Sequence, residues 1–358
     1  MNVLSLFDGM SCGQIALKEL GIEPDIYYAS EIDKFAIKQT QLNFPNTIQL
    51  GDVRNIKATD LERIDLILAG SPCTNLSFAG NMKGLSTKEN IEVLSLEQYL
   101  DLKEQGIEFE GQSYLFWEFV RILEEAKKIN PNVLFLLENV EMGKKWEPIF
   151  DKALGRKGIH INSALVSAQS RKRIYWTNIN NGEIPLPKDR GLLLKDIIEE
   201  SPNERYVLSN NMMAWLNKHA TNRGGKIIML NKNSKAHCLI SSQYKINLDT
   251  NFIPVSKREP IQINNAIEFG KQPRQQNRVY SIEGISPALV RLTCGSHAIE
   301  DKIRIRRLTP TECARLQTIP EWYKWECSPT QQFKMLINGW TVDIIVHILS
   351  YMKMNEIE

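Results

Sequence analysis

Along the first half of the chain, short apolar runs alternate with stretches whose apolar residues recur every three or four positions. Val3-Leu4-Ser5-Leu6-Phe7 and Ile26-Tyr27-Tyr28-Ala29 read as buried strands, as do Ile48 to Leu50, Leu66 to Ala69, Val133 to Leu137, Ala164 to Ser167 and Ile174 to Thr177. Between the early strands, Gln14 to Leu20 and Lys34 to Leu42 read as helices, the second stopped before Pro45. Strands alternating with helices predict an α/β fold with a mostly parallel, doubly wound sheet. From Asn180-Asn181-Gly182 onward, past Pro185 and Pro187, the pattern loosens into polar residues with short apolar runs such as Lys226-Ile227-Ile228-Met229-Leu230. That change predicts a smaller, mostly irregular or β second domain. Helical periodicity returns at Thr311 to Thr318, with Thr309 as candidate cap, and at about Val342 to Met352. There is no internal repeat and no low-complexity segment.

Open sheets of this kind bind ligands beyond the carboxyl ends of their strands, and the chemistry in this chain gathers at such ends. The run Asp65-Leu66-Ile67-Leu68-Ala69-Gly70 leads into Ser71-Pro72-Cys73, which delivers a thiol to the sheet edge. A lone cysteine there is more often an inert packing residue. Here a second strand runs into Glu138-Asn139-Val140, and Gln169-Ser170-Arg171-Lys172-Arg173 carries arginines at alternate positions, on one side of an extended chain. Thiol, carboxyl and guanidinium groups at neighbouring strand ends suit attack on, protonation of and orientation of one planar heterocycle. Phe7-Asp8-Gly9-Met10-Ser11-Cys12-Gly13 lacks the G-x-G-x-x-G spacing that cradles a pyrophosphate. NAD is thereby disfavoured and a cofactor without phosphates fits better. Glu31 and Asp52 follow the second and third strands, where carboxylates accept from ribose hydroxyls and an adenine amino group. Helix capping is the competing reading of both residues.

With 358 residues, 42% of them hydrophobic and 24% charged, the chain has room for one large domain and one smaller one. No apolar run reaches the ~18 residues of a membrane span, and Met1-Asn2-Val3-Leu4 begins a core strand instead of a signal peptide. A soluble, cytoplasmic protein without a membrane partner is expected. Cys12, Cys73, Cys238, Cys294, Cys313 and Cys327 form no Cys-x-x-Cys pair, so neither disulfides nor a metal is expected. Net charge is only +2, but between Arg205 and Arg274 eleven Lys and Arg face three Asp and Glu, a local +8. This stretch is the candidate phosphate-facing surface, although such runs more often mark a solvated face.

At these residues the chain resembles the DNA cytosine-5 methyltransferase family. The family's ordered motifs are matched by Leu6-Phe7-Asp8-Gly9, Pro72-Cys73, Glu138-Asn139-Val140, Gln169-Ser170-Arg171-Lys172-Arg173, the stretch from Arg307 to Gln317, and Asn338-Gly339-Trp340-Thr341-Val342. They span nearly the whole chain. Two of them depart from the commoner bacterial pattern: the glycine-rich turn reads Phe7 to Gly13, and the final Gly-Asn-Ser-Val reads Asn338-Gly339-Trp340-Thr341-Val342. Both variants are similar to the subgroup that includes the animal de novo enzymes.

The resemblance implies a Rossmann-like, S-adenosylmethionine-dependent domain over 1–185 and 328–358, interrupted by a target recognition domain over 186–327. By the same similarity, Phe7, Asp8, Gly9, Glu31, Ile32, Asp52, Val53, Asn338 and Trp340 hold the cofactor, with Phe7 against the adenine and Glu31 on the ribose. Cys73 is the nucleophile that adds to cytosine C6 so that C5 can attack the methyl group. Glu138, at a buried strand end that favours the protonated form, assists at N3; Arg173 donates to O2; and Arg171 fixes a loop or a phosphate. No residue is an obvious base for the C5 proton, which leaves water. The target base must leave the duplex stack, at a cost of roughly a few kcal/mol, and Thr74 to Leu85 matches the loop that closes over it, with Ser77 as a phosphate contact.

Arg223, Lys226, Lys232, Lys235, Arg274, Gln275 and Gln276 are the side chains of the recognition region suited to phosphates or base edges. Between Ser86 and Gly111 lies a charged segment longer than the family's usual loop, read as a surface insertion with a partner-binding or gating role as the alternative. The expected partner is double-stranded DNA, through which the protein associates with the nucleoid. A cognate restriction endonuclease is the further partner that the resemblance brings, and a monomer is the default. A transfer RNA substrate, or a catalytically silent DNA-binding regulator on the same fold, are the rival readings.

Overall fold

The computed structural model describes residues 1–73, 76, 84–222, 230–239, 250–254 and 305–352. Its centre is a seven-stranded sheet. Strands β1 (Asn2–Leu6), β2 (Ile26–Ser30), β3 (Ile48–Gln49), β4 (Leu66–Gly70) and β5 (Leu134–Val140) run parallel. Strands β6 (Ile159–Asn162) and β8 (Lys172–Thr177) close one side antiparallel, separated in sequence by the two-residue β7 (Gln169–Ser170). The order is β3-β2-β1-β4-β5-β8-β6.

The central strands are apolar on both faces because both faces are covered. Val3, Leu66, Leu68, Leu134 and Leu136 pack into one core, with Ile15 and Leu17 of helix α1 (Cys12–Glu19). The alternate residues Leu4, Leu6, Ile67, Ala69, Phe135 and Leu137 pack into the other. Helix α2 (Lys34–Asn43) follows β2 and is capped by the Asp33 side chain. The second core is covered chiefly by α4 (Phe116–Ile129), whose buried Phe116, Phe119, Val120, Leu123 and Ala126 form a stripe at helical spacing, and by α5 (Glu147–Leu154). Ahead of α4 the charged insertion contains a helix of its own, α3 (Leu96–Glu104), capped by Ser95.

Beyond the sheet, α6 (Asn210–Asn222), β9 (Ala236–His237) and β10 (Phe252–Pro254) are described, the last paired with β11 (Ile305–Arg307). β9 pairs with β7 and so ties this region to the sheet. Helices α7 (Pro310–Leu316), α8 (Pro329–Asn338) and α9 (Val342–Leu349) complete the chain. Buried Val342, Ile344, Ile345 and Ile348 of α9 join the α1 side of the core. Thr309 caps α7 reciprocally with Glu312, and Glu312 is also clamped by the buried Arg306.

One expected strand is not formed. Ala164 to Ser167 lies in a tight turn, because Asn162 accepts from Ala164 N at 3.0 Å and Ser163 O accepts from Val166 N. The strand that pairs there ends at Asn162, since short polar side chains bond their own backbone in competition with a ladder.

Candidate active site

The sheet order brings β4, β5 and β8 side by side, so their ends meet. Gly70 lies opposite Glu138 across the parallel pair, and Glu138 lies opposite Tyr175 across the antiparallel one. Arg173 is thereby a diagonal cross-strand neighbour of Glu138 on the same face. Arg173 Nε sits 2.9 Å from Glu138 Oε1, with both side chains largely buried. The two candidate catalytic side chains thus meet directly at the strand ends.

Cys73 is half-buried three residues beyond Gly70. Burial pushes its thiol up, the Glu138 carboxylate adds to the rise, and Arg173 and Arg171 oppose it. Asn139 anchors the turn that carries it, donating to Ser71 Oγ at 2.9 Å and to Ser71 O at 3.3 Å. Arg171 is buried and donates to Ile337 O at 3.2 Å and Gly339 O at 3.0 Å, so it holds a loop. Gln317, at the end of α7, donates to Leu336 O and Gly339 O and secures the same loop. The loop places Trp340 flat against Gly70, where a β-carbon would stand 2.8 Å from the indole nitrogen.

On the other side of Gly70, the turn after β1 is left-handed at Phe7, Gly9 and Ser11, with φ of 58°, 59° and 64°. A non-glycine residue in that region is strained, and the turn aims Gly9 N at Glu31 Oε2, 2.8 Å away. Ile32 N and Asp33 N donate to Glu31 Oε1 at 2.7 and 2.8 Å, so backbone amides hold both carboxylate oxygens. Asp8 is 9% exposed and accepts on Oδ1 from Ser11 Oγ and Tyr27 OH, each at 3.1 Å. Among the described residues its buried Oδ2 meets no donor in hydrogen-bond geometry, and burial pushes the carboxyl up to about 6. Asp52 caps the turn at 53–55 and is gripped by the Arg54 side chain, which holds its carboxyl below the usual range. Capping and cavity lining coexist at this residue.

One cavity of about 620 Å³ joins the candidate groups. Its lining includes Phe7, Asp8, Gly9, Glu31, Ile32, Asp52, Val53, Asn338 and Trp340 together with Cys73, Glu138, Arg171 and Arg173. Ile32 lines it while 68% exposed, an apolar side chain with an open face. Ser77, Arg223, Lys226, Arg274, Gln275 and Gln276 lie outside the described residues, as does most of the loop from Thr74 to Leu85. Lys232 is exposed. Lys235 is not a free cation: its ammonium donates to the carbonyls of Ala164, Ser167 and Leu192, which makes it a tie between β9 and the sheet.

Several wall residues escape a reading of the sequence. Asn139 stood inside a quoted motif without a role. Arg54, Gln112, Tyr114 and Leu115 also line the cavity, the last three from the segment between the insertion and α4. Their one local signal is that they lead into the amphipathic stripe of α4. Among the described residues no helix is long and apolar enough to cross a membrane.

Comparison with known proteins places this geometry. Residues 1–354 match the family model described as C-5 cytosine-specific DNA methylase. The type II methyltransferase M.Bsp6I of Bacillus sp. (strain RFL6) is 26% identical, with 97% of each chain covered. The type II methyltransferase M.HhaI of Haemophilus parahaemolyticus is 22% identical over 99% of this chain and 94% of its own. Among solved structures, the Entamoeba histolytica methyltransferase EhMeth superposes with a TM-score of 0.65 at 15% identity, covering 98% of this chain and 97% of that one. A Spodoptera frugiperda DNMT2 mutant gives 0.62 at 20% identity, with 98% of each covered, and these two likenesses speak for the fold. A Rossmann-like sheet with a thiol and a carboxylate at adjoining strand ends, matched end to end by one family model, makes the chain a methyltransferase that belongs to the C-5 cytosine-specific DNA methylase family.

Proposed function

We propose that the protein transfers a methyl group from S-adenosylmethionine to C5 of a cytosine flipped out of a specific double-stranded DNA sequence, as a bacterial or phage modification enzyme. One observation carries this reading: Cys73, Glu138 and Arg173 open on the same cavity as Asp8, Glu31 and Asp52. The residues fit the cofactor. Asp8 Oδ2, buried and unpartnered, suits a ligand that carries positive charge, and the amide-held Glu31 carboxylate suits a diol. When bound, S-adenosylmethionine supplies an electrophilic methyl group.

Cytosine C5 is a weak nucleophile, so Cys73 first gives up its proton and forms a bond to C6, which pushes electron density onto C5 and N3. Glu138 takes up the proton that Cys73 releases and delivers it at N3, which keeps that density from building up as charge, and it recovers this proton when the C6–sulfur bond breaks. Arg173 leaves the carboxylate for the O2 edge of the base, which frees Glu138 for this task. Water takes the C5 proton after transfer, and the C6–sulfur bond then breaks to return the Cys73 thiolate. Arg171 keeps Trp340 in place, and Asn139 keeps the cysteine turn in place.

In the same reading, 1–185 and 328–358 form the catalytic and cofactor-binding domain and 186–327 the target recognition domain. The packing of α9 on α1 supports the return of the chain to its first half. The decisive experiment is bisulfite sequencing of DNA from a methylation-free host that expresses either wild type or Cys73→Ala. A cytosine motif protected only by wild type is expected. Equal conversion in both sets the DNA reading aside, and transfer RNA is then the substrate to assay.

A further inference from the structure

The insertion over 86–111 packs on the catalytic domain through a buried polar hub. Glu118 of α4, fully buried, accepts from Tyr99 OH at 2.5 Å and Arg121 Nε at 2.7 Å and pairs with Lys103. Tyr99 and Lys103 belong to α3, so this carboxylate pins the insertion helix to α4. Arg121 also donates to Ile56 O at 2.8 Å, while Glu125 accepts from Ala58 N at 2.9 Å. The segment that carries Asp52 and Arg54 therefore hangs on the same helix as the insertion.

The segment of Asp52 and Arg54 lines the cavity, and so do Gln112, Tyr114 and Leu115, which follow directly on the insertion. Arg54 and Tyr114 both line it, close enough for the phenol to act on the guanidinium. Behind Tyr114 stands an aromatic stack from the insertion. Phe109 lies parallel to Tyr114 with centroids 4.6 Å apart, and Tyr99 lies 5.0 Å from Phe109. Tyr114 is half-buried, with one face on the stack and the cavity beyond it. A ring so backed has a fixed orientation and loses little freedom when a planar ligand arrives.

We propose that the insertion is a cofactor-retaining element: Tyr99 and Phe109 hold Tyr114 as a wall of the nucleoside subsite, beside Asp52 and Arg54. The inference rests on the S-adenosylmethionine reading above. Tyr114 is the residue that meets the ligand, and Phe109 is a positioning residue that acts through it. An acidic insertion unsuited to DNA then has a task that needs no DNA contact.

The test is calorimetric titration of the full chain with S-adenosylhomocysteine and with 5′-methylthioadenosine, which keeps the nucleoside and lacks the amino-acid end. Tyr114→Ala is expected to weaken both ligands by the same factor, about tenfold, the size of a lost aromatic contact. Tyr114→Phe should lose less than about threefold, because the ring remains. Phe109→Ala should weaken both ligands in the wild-type background and add nothing in the Tyr114→Ala background. Should Tyr114→Ala not fold, Tyr114→Leu carries the same comparison. Wild-type affinity in a folded Tyr114 variant overturns the proposal, and so does a loss confined to S-adenosylhomocysteine. Failure of wild type to bind either ligand overturns the cofactor reading beneath it.

Discussion

Replacing Asp8 by Asn tests whether the cofactor cavity stores free energy in a half-satisfied carboxylate. Asn is nearly isosteric, and its oxygen can go on accepting from Ser11 Oγ and Tyr27 OH, as Asp8 Oδ1 does. What changes is the buried Oδ2, which meets no hydrogen-bond donor among the described residues. Burial raises the Asp8 carboxyl from 3.8 to about 6 in the folded protein. The folded state thus binds this proton more tightly than the unfolded chain, so its contribution to stability is complete below about pH 4 and is lost as the pH rises through about 6. A shift of about two units is worth about 3 kcal/mol at 1.36 kcal/mol per unit, an upper bound on the penalty near neutrality. Urea unfolding of the ligand-free protein at pH 5 and pH 8 measures it. Asp8→Asn should gain about 1.4 kcal/mol relative to wild type between the two pH values, the part of that total that falls above pH 5. S-Adenosylhomocysteine should stabilise wild type more at pH 8 than at pH 5 and the variant equally at both. Parallel stability profiles for the two proteins would show that the orphaned oxygen is solvated and that no strain resides there.

Two further expectations follow from the catalytic end. In Glu138→Gln the carboxylate that helps to raise the Cys73 thiol is gone while both arginines remain; iodoacetamide should modify Cys73 faster at pH 8, even as methyl transfer falls by about a hundredfold or more. Slower alkylation in that variant would contradict the electrostatic account. Gly70→Ala should cost about 1–3 kcal/mol by overpacking, because its β-carbon would stand 2.8 Å from the Trp340 indole nitrogen. That cost should shrink in a Trp340→Leu background, and strict additivity in a double-mutant cycle would deny the contact.

Much of the architecture was legible because it is local. The apolar runs that became β1, β2, β4 and β5 are buried on both faces, and a parallel strand covered on two sides needs nothing but apolar residues. Thr309 announced its helix because a cap acts on the amides two or three residues ahead. Ala164 to Ser167 misled because its apolar content matches a strand, while Asn162 and Ser163 turn the backbone by bonds that a count of hydrophobic positions does not see. The helix α3 inside the insertion went unread because its sequence is charged and its one buried residue, Tyr99, is held by Glu118 of another helix.

The sequence by itself determined which strands carry chemistry at an end: thiol, carboxyl and the acidic residues after β2 and β3 each follow an apolar run, the paired arginines lead into one, and a run's end is a local property. Only the tertiary structure decided what those groups do to one another. Arg173 reaches Glu138 because β8 runs antiparallel to β5. Arg171 is spent on carbonyls at Ile337 and Gly339, more than 160 residues away in sequence. Lys235 is withdrawn from the candidate nucleic-acid surface by three backbone oxygens of two separate segments, and Tyr114 becomes a cavity wall because an insertion stacks behind it. Ion pairing, desolvation and stacking depend on distances between residues remote in sequence, and chain order carries no record of those distances until the sheet has set its strand order.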